Sequence, residues 1–259
     1  MLAAVSFCVG PFAWQVLTSL RPEDEVSQPG LPRHLTLASH VEVLRDGGFS
    51  RALWNSLVVA SATTLVSLVV GSLAAFALAK LAFPGRKWLL AGALGVSMFP
   101  PIATVSPLYL GMRALGLLDR PLGLVIPATT FSLPLTLWVL TSFFREIPDE
   151  LYRAARIDGC TPLQAFRKVM LPLALPGLAT TAILVFVFAW NELLYALTFL
   201  SSPENRTVPV AITMFAAEHK EPWAEIAAAS VIATLPLLVA TLFFQRRIVA
   251  GLTAGAVKG

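Results

Sequence analysis

Two groups of residues in this chain have side chains suited to chemistry or recognition. Asn191 and Glu192 interrupt a long apolar run, residues 176–200. A carboxyl group in hydrocarbon is costly, so an acid kept there marks a pathway, a relay or a hydrogen-bond partner. Glu192 falls near one end of its run, where a structural or gating hydrogen bond suits it better than direct contact with a substrate. The second group lies in ELYRAARIDGCTPLQAFRKVMLPLALPG, residues 150–177, where Glu150, Arg153, Arg156, Asp158, Arg167 and Lys168 crowd into a few turns amid oily sequence. A charged, helix-forming segment of this kind serves either to dock a partner or to lie on anionic headgroups.

Covalent chemistry finds no support. There is no Gly-x-x-x-x-Gly-Lys-[Ser/Thr] phosphate loop and no His-Glu-x-x-His pair. His34, His40 and His219 are scattered outside the apolar runs, so neither a metal site nor a catalytic residue is expected. Any ATP hydrolysis must come from another chain. Cys8 sits in an apolar run and Cys160 in the charged segment, a placement that suits two free thiols rather than a disulfide framework.

The elements that position these residues follow from composition. Charged residues make up 13% of the 259 positions, against about 25% in soluble domains, and the mean hydropathy is +0.75. The chain reads as a single domain, residues 1–259, of all-α class: a polytopic transmembrane helix bundle with about six membrane-spanning helices. The apolar runs are residues 1–20, 53–80, 88–112, 121–144, 176–200 and 225–245. The opening run has no basic residues ahead of it, which fits a first membrane helix better than a signal peptide. Prolines inside the runs are tolerated because neighbouring helices re-satisfy the carbonyls they free.

The net charge of +4 reads as basic loops on one face of a membrane rather than nucleic-acid contact. Placing segments 81–87, 145–175 and the C-terminus in the cytoplasm puts Arg86, Lys87, Arg145, Arg153, Arg156, Arg167, Lys168, Arg246, Arg247 and Lys258 there, with few acids. Most of the acids then fall outside, in segments 21–51 and 201–225. Both termini are thus expected in the cytoplasm.

Within the charged loop, two short helices are expected. Pro148 opens the first, which runs to Ile157, and Asp158-Gly159 ends it with a left-handed glycine. Thr161 caps the second and Pro162 takes its first position. Leu163, Phe166, Val169 and Met170 form its apolar stripe, and Pro172 and Pro176 stop it. Ala154 and Ala155 leave room for a close neighbour. Two further segments stand out. SMFPPIATVSPLY, residues 97–109, suits either an unwound helix beside a pathway or a proline kink packed in protein. The outer loop 201–225 is longer than a simple connection needs, with a turn at Pro203-Glu204-Asn205.

The charged loop resembles the cytoplasmic signature of inner-membrane permease subunits of binding-protein-dependent ABC importers. That signature reads Glu-Ala-Ala, three residues, Gly, nine residues, a hydrophobic residue, one more, and Leu-Pro; Ala154, Ala155, Gly159, Val169, Leu171 and Pro172 stand at its positions. Arg153 stands where the signature has Glu, with Glu150 one turn earlier. FAWNELLYAL, residues 188–197, and the tail FQRRIVAGLTAGAVKG, residues 244–259, are similar to the maltose- and trehalose-type sugar branch, in particular its smaller six-span subunit.

This resemblance implies a subunit that forms half of a sugar pathway and couples ATPase motion to alternating access. Glu150, Arg153, Ala154, Ala155, Asp158, Gly159, Leu171 and Pro172 would seat in the ATPase. The tail residues Gly251, Leu252, Gly255 and Lys258 would touch it; their sequence lacks a regular apolar stripe, and order imposed by a partner is expected. Glu204, Asn205 and Arg206 would meet an extracytoplasmic sugar-binding protein, and Asn191 and Glu192 would line or gate the pathway. The implied partners are a second, non-identical permease subunit, two ATPase subunits, the binding protein and membrane lipid. ATP and Mg would sit on the ATPase subunits, with no cofactor on this chain. An importer of another solute such as polyamine, sulfate or phosphate is the nearest alternative. A secondary carrier would need inverted repeats or buried ion ligands, and an intramembrane enzyme a catalytic pair.

Overall fold

The computed structural model describes residues 2–256 apart from 27, 29, 46 and 219–221, with side chains throughout these except at 2–4, 216–218 and 243–256. Every regular element among the described residues is helical. Helices α1 (Leu2–Ser19) and α2 (Ala38–Arg45) precede the long α3 (Gly48–Lys80). At 1.5 Å per residue, the 33 residues of α3 make a rod about 50 Å long, longer than a bilayer core. After α4 (Arg86–Ser97) and α5 (Pro101–Ala114), α6 (Val125–Glu146) packs along α3 more extensively than any other helix does. Gly71 permits that approach: a Cβ there would stand 2.3 Å from Thr136 Cγ2. Ser67 and Ser132 share a buried hydroxyl–hydroxyl hydrogen bond of 2.8 Å across the same seam, so these two hydroxyls are satisfied without water.

The remaining helices are α7 (Asp149–Ile157), α8 (Pro162–Ala165), α9 (Leu171–Leu173), α10 (Leu175–Trp190), α11 (Leu194–Phe199), α12 (Val208–Glu218) and α13 (Trp223–Ala256). Three clusters divide the core along α3. Phe49, near its start, packs with Trp190, Val208 and Ala228. Val59 packs with Met112, Tyr195 and Phe199. Phe76, near its end, packs with Phe144, Phe166 and Met170. Helix α13 starts at the Phe49 end, where Glu225 and Phe49 line one cleft, so its long helix leads toward the end that holds α7. Pro22, just past α1, lines a cleft with Pro222, so α1 runs back antiparallel to α13.

The expected spans differ from the observed helices in instructive ways. Among the described residues, three helices, Gly48–Lys80, Pro121–Glu146 and Trp223–Leu242, are long and apolar enough to cross a membrane alone, and counting each of two bent pairs as one span gives five. The uncharged α1 adds 18 residues over the first expected run. The expected third span is sharply broken: α4 and α5 meet at 96°, because Pro100 and Pro101 cannot donate to the preceding turn. The expected fifth span ends early at Trp190 and resumes at Leu194. Pro172 does not stop the second loop helix. A π-type turn, Phe166–Met170, places Leu171 N–H on the Phe166 carbonyl, and the widened ladder admits Pro172 within α9. The chain instead turns by 79° at Ala174, before α10.

Segment 201–225 is not an open loop. It forms a turn at Pro203–Asn205 and then α12, whose Val208 and Val210 are buried. The tail continues α13 as helix through Ala256, taking in Gly251, Leu252 and Gly255. Extending an established helix adds one hydrogen bond per residue, which outweighs the weak propensity of this sequence. Lys258 lies outside the described residues.

Candidate functional site

The charged loop is held at one end of the bundle by a closely specified turn. Pro148 precedes α7, whose first turn carries Asp149 and Glu150 and whose last turn carries Arg156, the arrangement a helix macrodipole favours. Cys160 N–H bonds the Ala155 carbonyl at 3.0 Å and Gly159 N–H bonds that of Arg156 at 3.2 Å. This pair of bonds closes a Schellman motif around Gly159, whose φ is +84°. Thr161 Oγ1 then accepts from Gln164 N–H, and the Gln164 side chain accepts from Thr161 N–H, a capping box that fixes the next helix.

The two sides of α7 differ sharply. Ala155 is 5% exposed and faces the bundle. Glu150, Arg153, Ala154, Arg156, Asp158 and Gly159 are exposed, and Ile157 is 84% exposed. Leu171 is half-buried and Pro172 exposed in α9. Ala155, expected among the coupling residues, instead packs into the bundle, while Glu150, Arg153, Ala154, Asp158 and Gly159 stay exposed on and just past α7 with the apolar Ile157. Tyr152, Phe166 and Phe144 anchor this surface from below through ring contacts with Phe76 at 5.7, 5.1 and 6.0 Å.

Asn191 and Glu192 lie in the break between α10 and α11. The Glu192 carboxylate caps α11: Oε1 accepts from Tyr195 N–H at 2.8 Å and Oε2 from Ala196 N–H at 3.0 Å. Asn191 Nδ2 donates to the Val187 carbonyl at 2.8 Å. The break before α5 meets this one. Tyr195 Oη lies 2.7 Å from Thr104 Oγ1 and 3.2 Å from the Pro101 carbonyl oxygen. Pro101, Phe131, Phe188, Asn191, Glu192 and Tyr195 line an open groove of about 460 Å³ between the two broken helices. Tyr195 and Thr104, which sequence reading did not single out, are the hinge between them. Their contact spans 91 positions in the chain, so no local pattern marks it.

At the opposite end from α7, the turn Pro203–Asn205 is tied down rather than projecting. Asp119, with φ of 55°, accepts from the backbone N–H groups of Ser201 and Ser202, both at 2.9 Å, and from the Ser202 hydroxyl. These bonds, that of the Ser202 hydroxyl foremost, pull the Asp119 carboxyl down to about 2 from its ordinary 3.8. Asn205 Nδ2 donates to the Asp119 carbonyl at 2.7 Å. Asn55 Nδ2 donates to the carbonyls of Glu204 and Arg206, both at 3.0 Å. Ser56 Oγ accepts from Val208 N–H at 2.8 Å. Glu204 stays exposed beside a cleft of about 430 Å³ lined by Arg206, Glu42 and Glu225. Cys8 and Cys160 are free thiols. Among the described residues no group of three or more His, Cys, Asp or Glu converges to hold a metal ion.

Residues 67–253 match the family described as the binding-protein-dependent transport system inner membrane component. The chain belongs to that family. This inner membrane component is 47% identical over 258 residues to a trehalose transport system permease protein of Mycobacterium tuberculosis, covering 98% of this chain and 94% of the relative. It is 41% identical over 256 residues to a trehalose/maltose transport system permease protein of Thermococcus litoralis, covering 97% and 92%. The fold matches the crystal structure of a bacterial ABC transporter involved in the import of the polysaccharide alginate, with a TM-score of 0.79 over 94% of this chain and 92% of that one at 24% identity. The inner membrane component is therefore a multi-pass transport subunit and not an enzyme.

Proposed function

We propose that the protein is one permease subunit of an ATP-driven importer of a disaccharide or short oligosaccharide of the trehalose and maltose type. It would form half of the translocation pathway beside a second, non-identical permease subunit. Two ATPase subunits carrying ATP and Mg would bind its α7 surface, and a sugar-binding protein would dock at the opposite end. Both termini and α7 would face the cytoplasm, in keeping with the excess of Lys and Arg on that side.

One observation carries the reading. The α7–Gly159–α8 unit is a rigid, exposed surface fastened by aromatic rings to the transmembrane helices. A surface so built transmits rigid-body motion rather than absorbing it. The groove between the α5 and α11 breaks gives that motion something to open. The substrate class rests on identity to the trehalose and trehalose/maltose permeases over nearly the whole chain.

The test is uptake by the complete complex reconstituted in vesicles with ATP supplied on the ATPase side. Radiolabelled trehalose and maltose should enter in a manner that requires both ATP and the binding protein. Spermidine and phosphate should not. Uptake of either of those in place of sugar would replace the substrate class, and uptake without ATP would overturn the importer reading.

A further inference from the structure

The inner end of α3 carries two residues one turn apart that grip the charged loop by different means. Lys80 Nζ donates to the Ile147 carbonyl at 2.5 Å and to Asp149 Oδ1 at 2.5 Å. Its side chain is 2% exposed while that of Asp149 is 60% exposed, so the ammonium is buried at the joint and the carboxylate reaches in from the rim. Lys80 also sits at the negative end of the α3 dipole, which favours its charge. It holds the Asp149 carboxyl below its usual range. Phe76, i−4 on the same helix face, meets Tyr152 of α7 edge-on at 5.7 Å and Phe166 at 5.1 Å. Three elements are thereby joined at one point: the end of α3, the end of α6 through Ile147, and the first turn of α7.

The two contacts differ mechanically. The ring contacts hold the loop against the helix end by packing, whereas an ion pair reinforced by a carbonyl hydrogen bond also fixes register. The other end of α3 is likewise tied, since Asn55 and Ser56 hold the 204–208 backbone. Between these ties runs continuous helix, with no proline in α3.

We propose that Lys80 and Asp149 lock α7 to α3, and that α3 carries displacement of the ATPase-facing loop as one rod to the turn at 203–208 on the far side. The proposal rests on the reading of the protein as an ATP-driven permease. It assigns Lys80 and Asp149 as positioning residues for coupling, outside the ATPase-facing surface itself.

The experiment uses the complete reconstituted complex. Asp149→Asn, at an exposed position, is the principal variant. It should leave ATPase co-purification and basal ATP hydrolysis intact. Binding-protein-stimulated hydrolysis and sugar moved per ATP should fall about fivefold or more, the scale of an ordinary coupling free energy. Lys80→Met should match it, the double variant should be no worse than either single one, and Asp149→Glu should retain coupling. A simple loss of helix-start charge would instead make the Lys80→Met and Asp149→Asn effects additive. Normal stimulation in Asp149→Asn overturns the proposal, and so does loss of the ATPase from the complex, which would make the pair part of docking. If the native complex itself shows no ATP-driven uptake, the permease reading has failed rather than the joint.

Discussion

A charged residue in a membrane run invites a substrate role, and at Glu192 the geometry answers otherwise. Both carboxylate oxygens are engaged by the first-turn N–H groups of α11, at 2.8 and 3.0 Å. These donors have no intrahelical partner, and the carboxylate supplies one to each. Glu192→Ala should therefore lower thermal stability in detergent by about 1–2 kcal/mol, the usual range for a lost N-cap. Glu192→Gln keeps one acceptor and should lose about half of that. Apparent affinity for sugar should be unchanged in Glu192→Gln. A rise in its KM with unaltered melting would transfer Glu192 from the cap to the substrate. The sequence favoured a structural or gating hydrogen bond for Glu192 over substrate contact but not its partners, because the partners of a carboxylate depend on where the helix breaks. Asp119 was not legible at all, since a lone Asp in a short loop has the same appearance whether or not two serines 80 positions away close on it.

Local signals made the charged loop legible as an element. Asp158-Gly159 and Thr161-Pro162 carry their own capping chemistry, and the bounds of α7 and the start of α8 fall within a residue of expectation, while the end of the second helix does not. The prolines at 100 and 101 marked the break between α4 and α5, but the bend at 174 and the π-type turn at Phe166–Met170 were not legible. They express packing of Phe166 and Met170 on Phe76 and Phe144, which no sequence window contains. Gly159 gives a test of how much the turn matters. A Cβ there meets nothing within 4 Å, so any penalty comes from φ alone, about 1–2 kcal/mol for an ordinary residue and less for Asn. Uptake should therefore rank Gly159→Asn above Gly159→Ala above Gly159→Val, with membrane insertion equal in all three. A flat ranking would show that the turn is held by its neighbours and not by its glycine.

Seen as a whole, the molecule is a set of rods of unequal length, and the excess length has a direction. Helix α13 is apolar over Trp223–Leu242 and continues past the basic pair Arg246 and Arg247 to Ala256. Since α13 starts at the Phe49 end of α3, the surplus emerges on the side of α7. From the basic pair Arg246–Arg247 to Ala256, the helix runs about 16 Å at 1.5 Å per residue. A helix carrying Gly251 and Gly255 would be marginal in isolation. Such a helix gains most by lying against a partner. We therefore expect deletion of residues 253–259 to leave insertion and basal complex assembly intact while reducing ATP-driven uptake severalfold. Replacing Gly251 and Gly255 with Ala separates the two possible causes. If helix stability is what the partner supplies, the Ala variant should carry sugar at least as well as the native chain, because each replacement favours helix by about 1 kcal/mol. If close backbone approach is what the glycines provide, the Ala variant should fail like the deletion. Full uptake by the deleted chain would reduce the tail to a solvated helix end and confine contact with the ATPase to the α7 surface.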